Sequence, residues 1–203
     1  KKKLKHKESN KTKARTPEFK QKVREKIIER AKHYYGIPYS RKYHGPDSEF
    51  YNYHQYLDCC GLVRQIMRDL QDDVGFTLGP WNQAYQFDML GDPVPLEKMR
   101  PGDLVFLKGI YFPEKKLRPQ KHDIVHVEIF VGGETGKATI GARWGKGVVQ
   151  MWDSYELVST NYHSIQYIFK SIEPWLDGRC KSFCQEHDWD FILGGRHRLF
   201  AKK

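Results

Sequence analysis

The sequence predicts an α+β fold in which N-terminal helices pack on a small antiparallel sheet. Two apolar runs with a helical period follow clear helix-start signals at Thr16-Pro17 and at Asp58. After residue 100 the pattern changes to short β-branched runs divided by glycine turns.

The first helix is signalled by Thr16 as N-cap, Pro17 at the first helical position and Glu18 at the positive end of the dipole. Phe19, Val23, Ile27 and Ala31 then recur every four residues, and Gly36 before Pro38 closes the element. Residues 39 to 56 are rich in Tyr, His and polar side chains without a period and read as a loop. Asp58 caps a second helix whose Leu62, Val63, Ile66, Met67 and Leu70 share one face, so Cys59 and Cys60 stand in its opening turn. The stretch from Gly75 to Pro101 is loop-rich, with a short helix expected around Gln83 to Leu90. Strands are expected at Leu104–Leu107, Ile124–Val131, Ala138–Ile140, Val148–Trp152 and Tyr167–Phe169. Strict alternation along the second run puts Val125, Val127, Ile129 and Val131 on one face and Ile124, His126, Glu128 and Phe130 on the other.

The chain of 203 residues carries 35 Lys or Arg against 25 Asp or Glu, a formal net charge of +10. Residues 1 to 15 hold eight of those cations against Glu8 alone, so that arm supplies +7 and leaves about +3 for the rest. The arm has the composition of a solvated segment able to make weak contacts with anionic partners, and the folded part lacks a nucleic-acid-binding signature. A hydrophobic share of 39% with 14% aromatic residues excludes a largely disordered chain. No apolar run reaches the roughly 18 residues of a membrane-spanning helix. The first residues show no apolar signal core, and localisation is not legible from them. Residues 16 to 170 are expected to form the folded domain, and residues 171 to 203 an extension packed on it.

Four cysteines in two clusters are too few to staple a chain of this length. A cysteine in the first turn of a helix stands where unpaired N–H groups and the helix dipole favour the thiolate. Such a nucleophile needs a base able to exchange protons near neutral pH, and His126, on a strand, is the histidine best placed to supply it. The competing expectation is a buried structural thiol and a hydrogen-bonded core histidine. Cys180-x3-Cys184-x2-His187, with His197 beyond, invites a zinc reading, but the spacing fits a packed helix face at least as well, and neither a metal nor another cofactor is expected. Trp175, Trp189, Phe191 and Ile192 are expected to pack this extension against the sheet.

Three blocks carry a resemblance: Asp58-Cys59-Cys60-Gly61-Leu62-Val63, residues 96 to 107 (LEKMRPGDLVFL), and residues 126 to 132 (HVEIFVG). In order and spacing they resemble the NlpC family of papain-like cysteine peptidases, whose blocks read D-C-S-G-L-V, P-G-D-L-V-F-F and H-V-G-I-Y-V-G. Gly36-Ile37-Pro38-Tyr39 resembles the G-x-P-Y segment ahead of the family's cysteine, and residues 79 to 83 (GPWNQ) fall where the family has a substrate-cleft loop. The resemblance implies that Cys59 is the nucleophile and His126 the general base. It implies that Tyr39, with Tyr43 as rival, helps to hold the oxyanion, and that Cys60 stands where Ser is usual.

The family's third polar residue, commonly His, falls on Gly141, which can orient nothing. Thr139 and Glu128 are the substitutes, Glu128 sharing a strand face with His126; the plainer role for Glu128 is an ion pair with a nearby Arg or Lys. The segment from Lys108 to Asp123 is longer than the family's connection there and is expected either to cover the cleft or to form a surface loop. The resemblance implies hydrolysis of amide bonds in peptides, with cell-wall stem peptides containing γ-D-glutamyl linkages as substrate class and a secreted or cell-envelope setting. An acyltransferase or amidase on another substrate, or a noncatalytic binding module, are the alternatives. The sequence carries no sign of the oligomeric state.

Overall fold

In the computed structural model, residues 15–39, 57–79, 81–145 and 147–180 are described. Helix α1 spans Pro17–His33, with the Thr16 hydroxyl accepting from the Phe19 N–H, as the start signal predicts. Its Val23, Ile27 and Ala31 are buried, and the buried face also takes in Arg24. Helix α2 spans Cys59–Asp69 and buries Leu62, Val63, Ile66 and Met67, each such side chain contributing about 1.5–3 kcal/mol. Helix α3 (Gln71–Val74) follows it at once, and α4 covers Gln83–Asp88, two residues shorter than expected, capped by Asn82.

The strands are β1 (Leu104–Tyr111), β2 (Ile124–Gly132), β3 (Ala138–Ala142), β4 (Val149–Trp152) and β5 (Tyr162–Lys170), and helix α5 is Glu173–Leu176. They form an antiparallel five-stranded sheet in the order β4-β3-β2-β1-β5, and the fold is α+β. Both β1 and β5 run longer than their apolar cores suggested, because they pair with each other as far as Tyr111 and Tyr162. The start of the long segment 108–123 is therefore strand rather than loop. Its end is fastened to α4: Asn82 Nδ2 donates to Gln120 Oε1 at 2.7 Å, and Asp88 engages both Lys121 and His122.

One sheet face meets the helices through Leu104, Phe106, Val127, Ile129 and Ile140. The other gathers Val105, Leu107, Val125 and Phe130 under Tyr155 and Tyr162. The alternation read along β2 fails at its start. Leu107 pairs with His126 but Lys108 pairs with Ile124, so Val125 is an extra residue in a bulge. Ile124 is thereby returned to the helix-facing core and Val125 goes to the opposite cluster. His126 and Glu128 keep the face that alternation assigns them, the one that carries Phe130.

Asp103 ties the layers together from the turn before β1, where Gly102 takes a φ of +92°. Its fully buried carboxylate accepts from Arg24 of α1 at 2.8 Å, from the Arg100 N–H at 2.8 Å and from the Ile172 N–H at 2.9 Å. Ile172, Trp175 and Leu176, which follow residue 170, lie in the core between helices and sheet. Trp175 therefore packs where expected, while Trp189, Phe191 and Ile192 lie outside the described residues. Replacing Asp103 with Ala strands the Arg24 guanidinium without its buried partner. That substitution is expected to lower unfolding free energy by about 3–5 kcal/mol, read as a fall in the urea midpoint at unchanged m-value.

Candidate functional site

Asp58 Oδ1 caps α2 by accepting from the Gly61 N–H at 2.7 Å. A Cβ on Gly61 would stand 2.8 Å from that oxygen, so the tight cap requires glycine three residues after Asp58. Cys59 and Cys60, the first two helical residues, have no intrahelical acceptor for their N–H groups. Gln86 of α4 fixes this turn from below, donating Nε2 to the Cys60 carbonyl at 2.9 Å, while Gln83 donates to the Ile124 carbonyl at the start of β2.

Strand β2 pairs with β3 only from Ile129 onward, and its earlier residues face the helix start instead. There the Cys59 sulfur accepts from the Val127 backbone N–H and hydrogen-bonds the His126 ring. The ring is also engaged by Glu128, whose Oε1 lies 3.0 Å from Nε2. Cys59 and His126 are 7% and 4% exposed and Glu128 is 1%, so little water screens these charges. Glu128 makes both contacts that the sequence allowed it. It touches His126 and it also pairs with a cation, Arg143, whose Nε reaches Oε1 at 2.6 Å and whose Nη2 reaches Oε2 at 2.9 Å. Thr139, the other candidate, donates its hydroxyl to Glu128 Oε2 rather than to the imidazole.

The electrostatics follow from these contacts. A hydrogen bond from Cys60 and the neighbouring His126 hold the Cys59 thiol well below its ordinary range, against the opposing effect of burial. Burial alone would lower His126, but the Cys59 sulfur and the Glu128 carboxylate outweigh it and push the imidazole up to about 10. Burial would raise Glu128, yet Arg143 and His126 bring it down to about 2. Both shifts favour a thiolate beside an imidazolium, with the Glu128 carboxylate behind the ring. Cys60 is pushed up and stays a thiol, chiefly through its hydrogen bond to Cys59. Its one proton has two acceptors within reach, the Cys59 sulfur and Asp58 Oδ1 at 3.4 Å.

Tyr39 is half-buried on a segment bound to the far edge of the sheet, its N–H donating to the Gly147 carbonyl at 2.8 Å. The neighbouring Pro38 carbonyl accepts from Leu57, two residues before Cys59, which brings this segment beside the start of α2. Tyr43, Cys184, His187 and His197 lie outside the described residues. Among the described residues no group of three or more His, Cys, Asp or Glu side chains is disposed to hold a metal ion, and no helix is long and apolar enough to cross a membrane. Sequence reasoning missed Arg143, Gln83 and Gln86. Only Arg143 left a signal, standing two residues beyond Gly141 and hence on its face of the strand.

The chain is thus an α+β protein with a buried thiol, imidazole and carboxylate in one row. No protein-family model matches it, and no curated protein does. Among solved structures it is similar to the peptidoglycan hydrolase RipB from Mycobacterium tuberculosis, with 21% identity, 77% of this chain and 67% of that one covered, and a TM-score of 0.47. It is similar to the resuscitation promoting factor interacting protein RipA at 20% identity, spanning 77% of this chain but 65% of that one, with a TM-score of 0.49. It is also similar to the P60 domain of an antigen from M. avium subspecies paratuberculosis, at 19% identity, 76% and 97% coverage and a TM-score of 0.48.

Removing the Cys60 donor tests where its proton resides. Cys60→Ala is expected to move the acid limb of Cys59 alkylation by iodoacetamide to higher pH, while Cys60→Ser keeps a donor and the wild-type limb. Peptide mapping by mass spectrometry checks both, and an unmoved limb in Cys60→Ala would place the proton on Asp58 instead.

Proposed function

We propose that the chain is a cysteine hydrolase of NlpC type that cleaves amide bonds in peptides through Cys59 and His126. Cell-wall stem peptides with γ-D-glutamyl linkages are the substrate class. The observation that carries this reading is the His126 ring held between the Cys59 sulfur, in the first turn of α2, and Glu128 Oε1. The three motif blocks support the substrate class. The glycine at position 141 leaves a noncatalytic module as an alternative, but a carboxylate lies against His126 all the same, which favours an enzyme.

The resting thiolate attacks the scissile carbonyl carbon, and the carbonyl electron pair moves onto oxygen. The Cys59 and Cys60 N–H groups, with Tyr39, are assigned to that oxyanion. His126, already protonated, gives its proton to the leaving amine as the C–N bond breaks and a thioester forms. Neutral His126 then takes a proton from water attacking the thioester, and collapse of the second tetrahedral species returns the thiolate and releases the acid. Glu128 keeps the ring oriented throughout and stabilises its cation.

Mass spectrometry of defined muropeptides incubated with the protein is expected to show cleavage that Cys59→Ala abolishes; intact substrate with wild type would remove the peptidoglycan assignment. Glu128→Gln is expected to lower kcat on the order of a thousandfold at little change in KM. The pH profile follows from the two shifts. Activity falls on the acid side as Cys59 takes a proton at a pH well below its ordinary range, and on the alkaline side as His126 loses the leaving-group proton near 10. An alkaline limb near 7 would contradict the ion-paired resting state.

A further inference from the structure

Glu128 approaches His126 along a single strand, and two neighbours decide whether it can stay there. The first is Gly141. The β2–β3 register pairs Ile129 with Ile140, so Gly141 comes opposite Glu128. A Cβ at position 141 would lie 2.9 Å from Glu128 Cγ and 3.2 Å from both Cδ and Oε1. The Glu128 side chain fills the volume that any side chain on Gly141 would take, so one of the two must shift if both are present.

The second neighbour is Arg143. Its guanidinium meets Glu128 edge to edge, Nε on Oε1 and Nη2 on Oε2, which fixes the plane of the carboxylate and not only its position. The guanidinium is itself held. Its Nη2 donates to the Ser154 carbonyl at 2.6 Å, and its central carbon stands 4.2 Å from the Trp152 ring centroid. With Thr139 on Oε2, both carboxylate oxygens are engaged, and the remaining direction of Oε1 points at His126 Nε2.

We infer that Arg143 is a positioning residue for the proposed hydrolysis, acting on His126 through Glu128, and that Gly141 is kept without a side chain so that a carboxylate from β2 can orient the imidazole. This rests on the Cys59–His126 reading above. An Arg143 that served only to hold the 154 region to the sheet would change stability and leave the thiolate alone. A positioning Arg143 has a different signature. Without it the cluster of thiolate, imidazolium and carboxylate carries a net negative charge in a dry site, the carboxylate plane is released, and the imidazolium loses support.

The test reads Cys59 alkylation by iodoacetamide against pH, which needs no substrate, beside muropeptide turnover and thermal unfolding. Arg143→Gln is expected to move the acid limb of alkylation up by about one pH unit and to lower kcat at least roughly thirtyfold with KM little changed. Arg143→Lys, with charge but no fork, is expected to fall between Gln and wild type. Gly141→Ala removes no charge and is expected to give the same signature as Arg143→Gln by pushing Glu128 aside. If either Arg143→Gln or Gly141→Ala remains folded and keeps the wild-type limb and kcat, the inference is overturned while the proposed function stands. If wild-type Cys59 itself shows no lowered limb, the proposed function and this inference fall together.

Discussion

Four ionisable groups of alternating favoured sign follow one another in a row: the Cys59 thiol, lowered toward its thiolate, the His126 imidazole, raised toward its cation, the Glu128 carboxylate and the half-buried Arg143 guanidinium. Each ion alone would be too costly to take out of water, and even a pair meets a desolvation penalty comparable to its attraction. The row is tolerable because each interior member touches opposite charges on both sides and the whole sums to zero. The same neutrality explains the opposed shifts: whatever favours the thiolate favours the imidazolium, and the carboxylate between two cations stays ionised. The formal +10 of the chain has no part in this, since seven of those charges belong to residues 1 to 15.

Holding that row demands particular backbone. The helix start must reach the strand that carries His126, and β2 makes this possible by leaving β3 before Ile129, freeing the Val127 N–H for the sulfur. The bulge at Val125 restores Ile124 to the helix-facing core, where its carbonyl accepts from Gln83. Apolar burial on both sides of the sheet, with Asp103 fastening α1 and the α5 segment to the turn before β1, supplies the rigidity that the site draws on.

Local signals were legible in the sequence, and cross-strand ones were not. Thr16 and Asp58 cap the helices they promise to cap, because a cap is a contact over three residues. Gly61, part of a motif, turns out to be needed for close approach to Asp58. By contrast Gly141 reads as a lost side chain when taken alone, and its meaning appears only when register sets it against Glu128. Arg143, Gln83 and Gln86 act on residues 15 to 41 positions away, through packing that no local period announces. The bulge escaped for a related reason: alternation is a rule for unbroken strands, and one extra residue inverts it.

Carrying the carboxylate that touches His126 on β2 itself has a mechanical consequence. A partner on β3 would reach His126 past the point where the β2–β3 pairing ends, so its distance would follow any relative shift of the two strands. Residues 126 and 128 are two apart on one strand, with their separation fixed by covalent geometry at about 6.6 Å of strand rise. The long, forked side chain of Arg143 makes the contact between strands, where length and two donors tolerate small displacements that a short side chain would not. The contact most sensitive to distance stays within one strand, and the contact made between strands is the one whose chemistry can absorb movement.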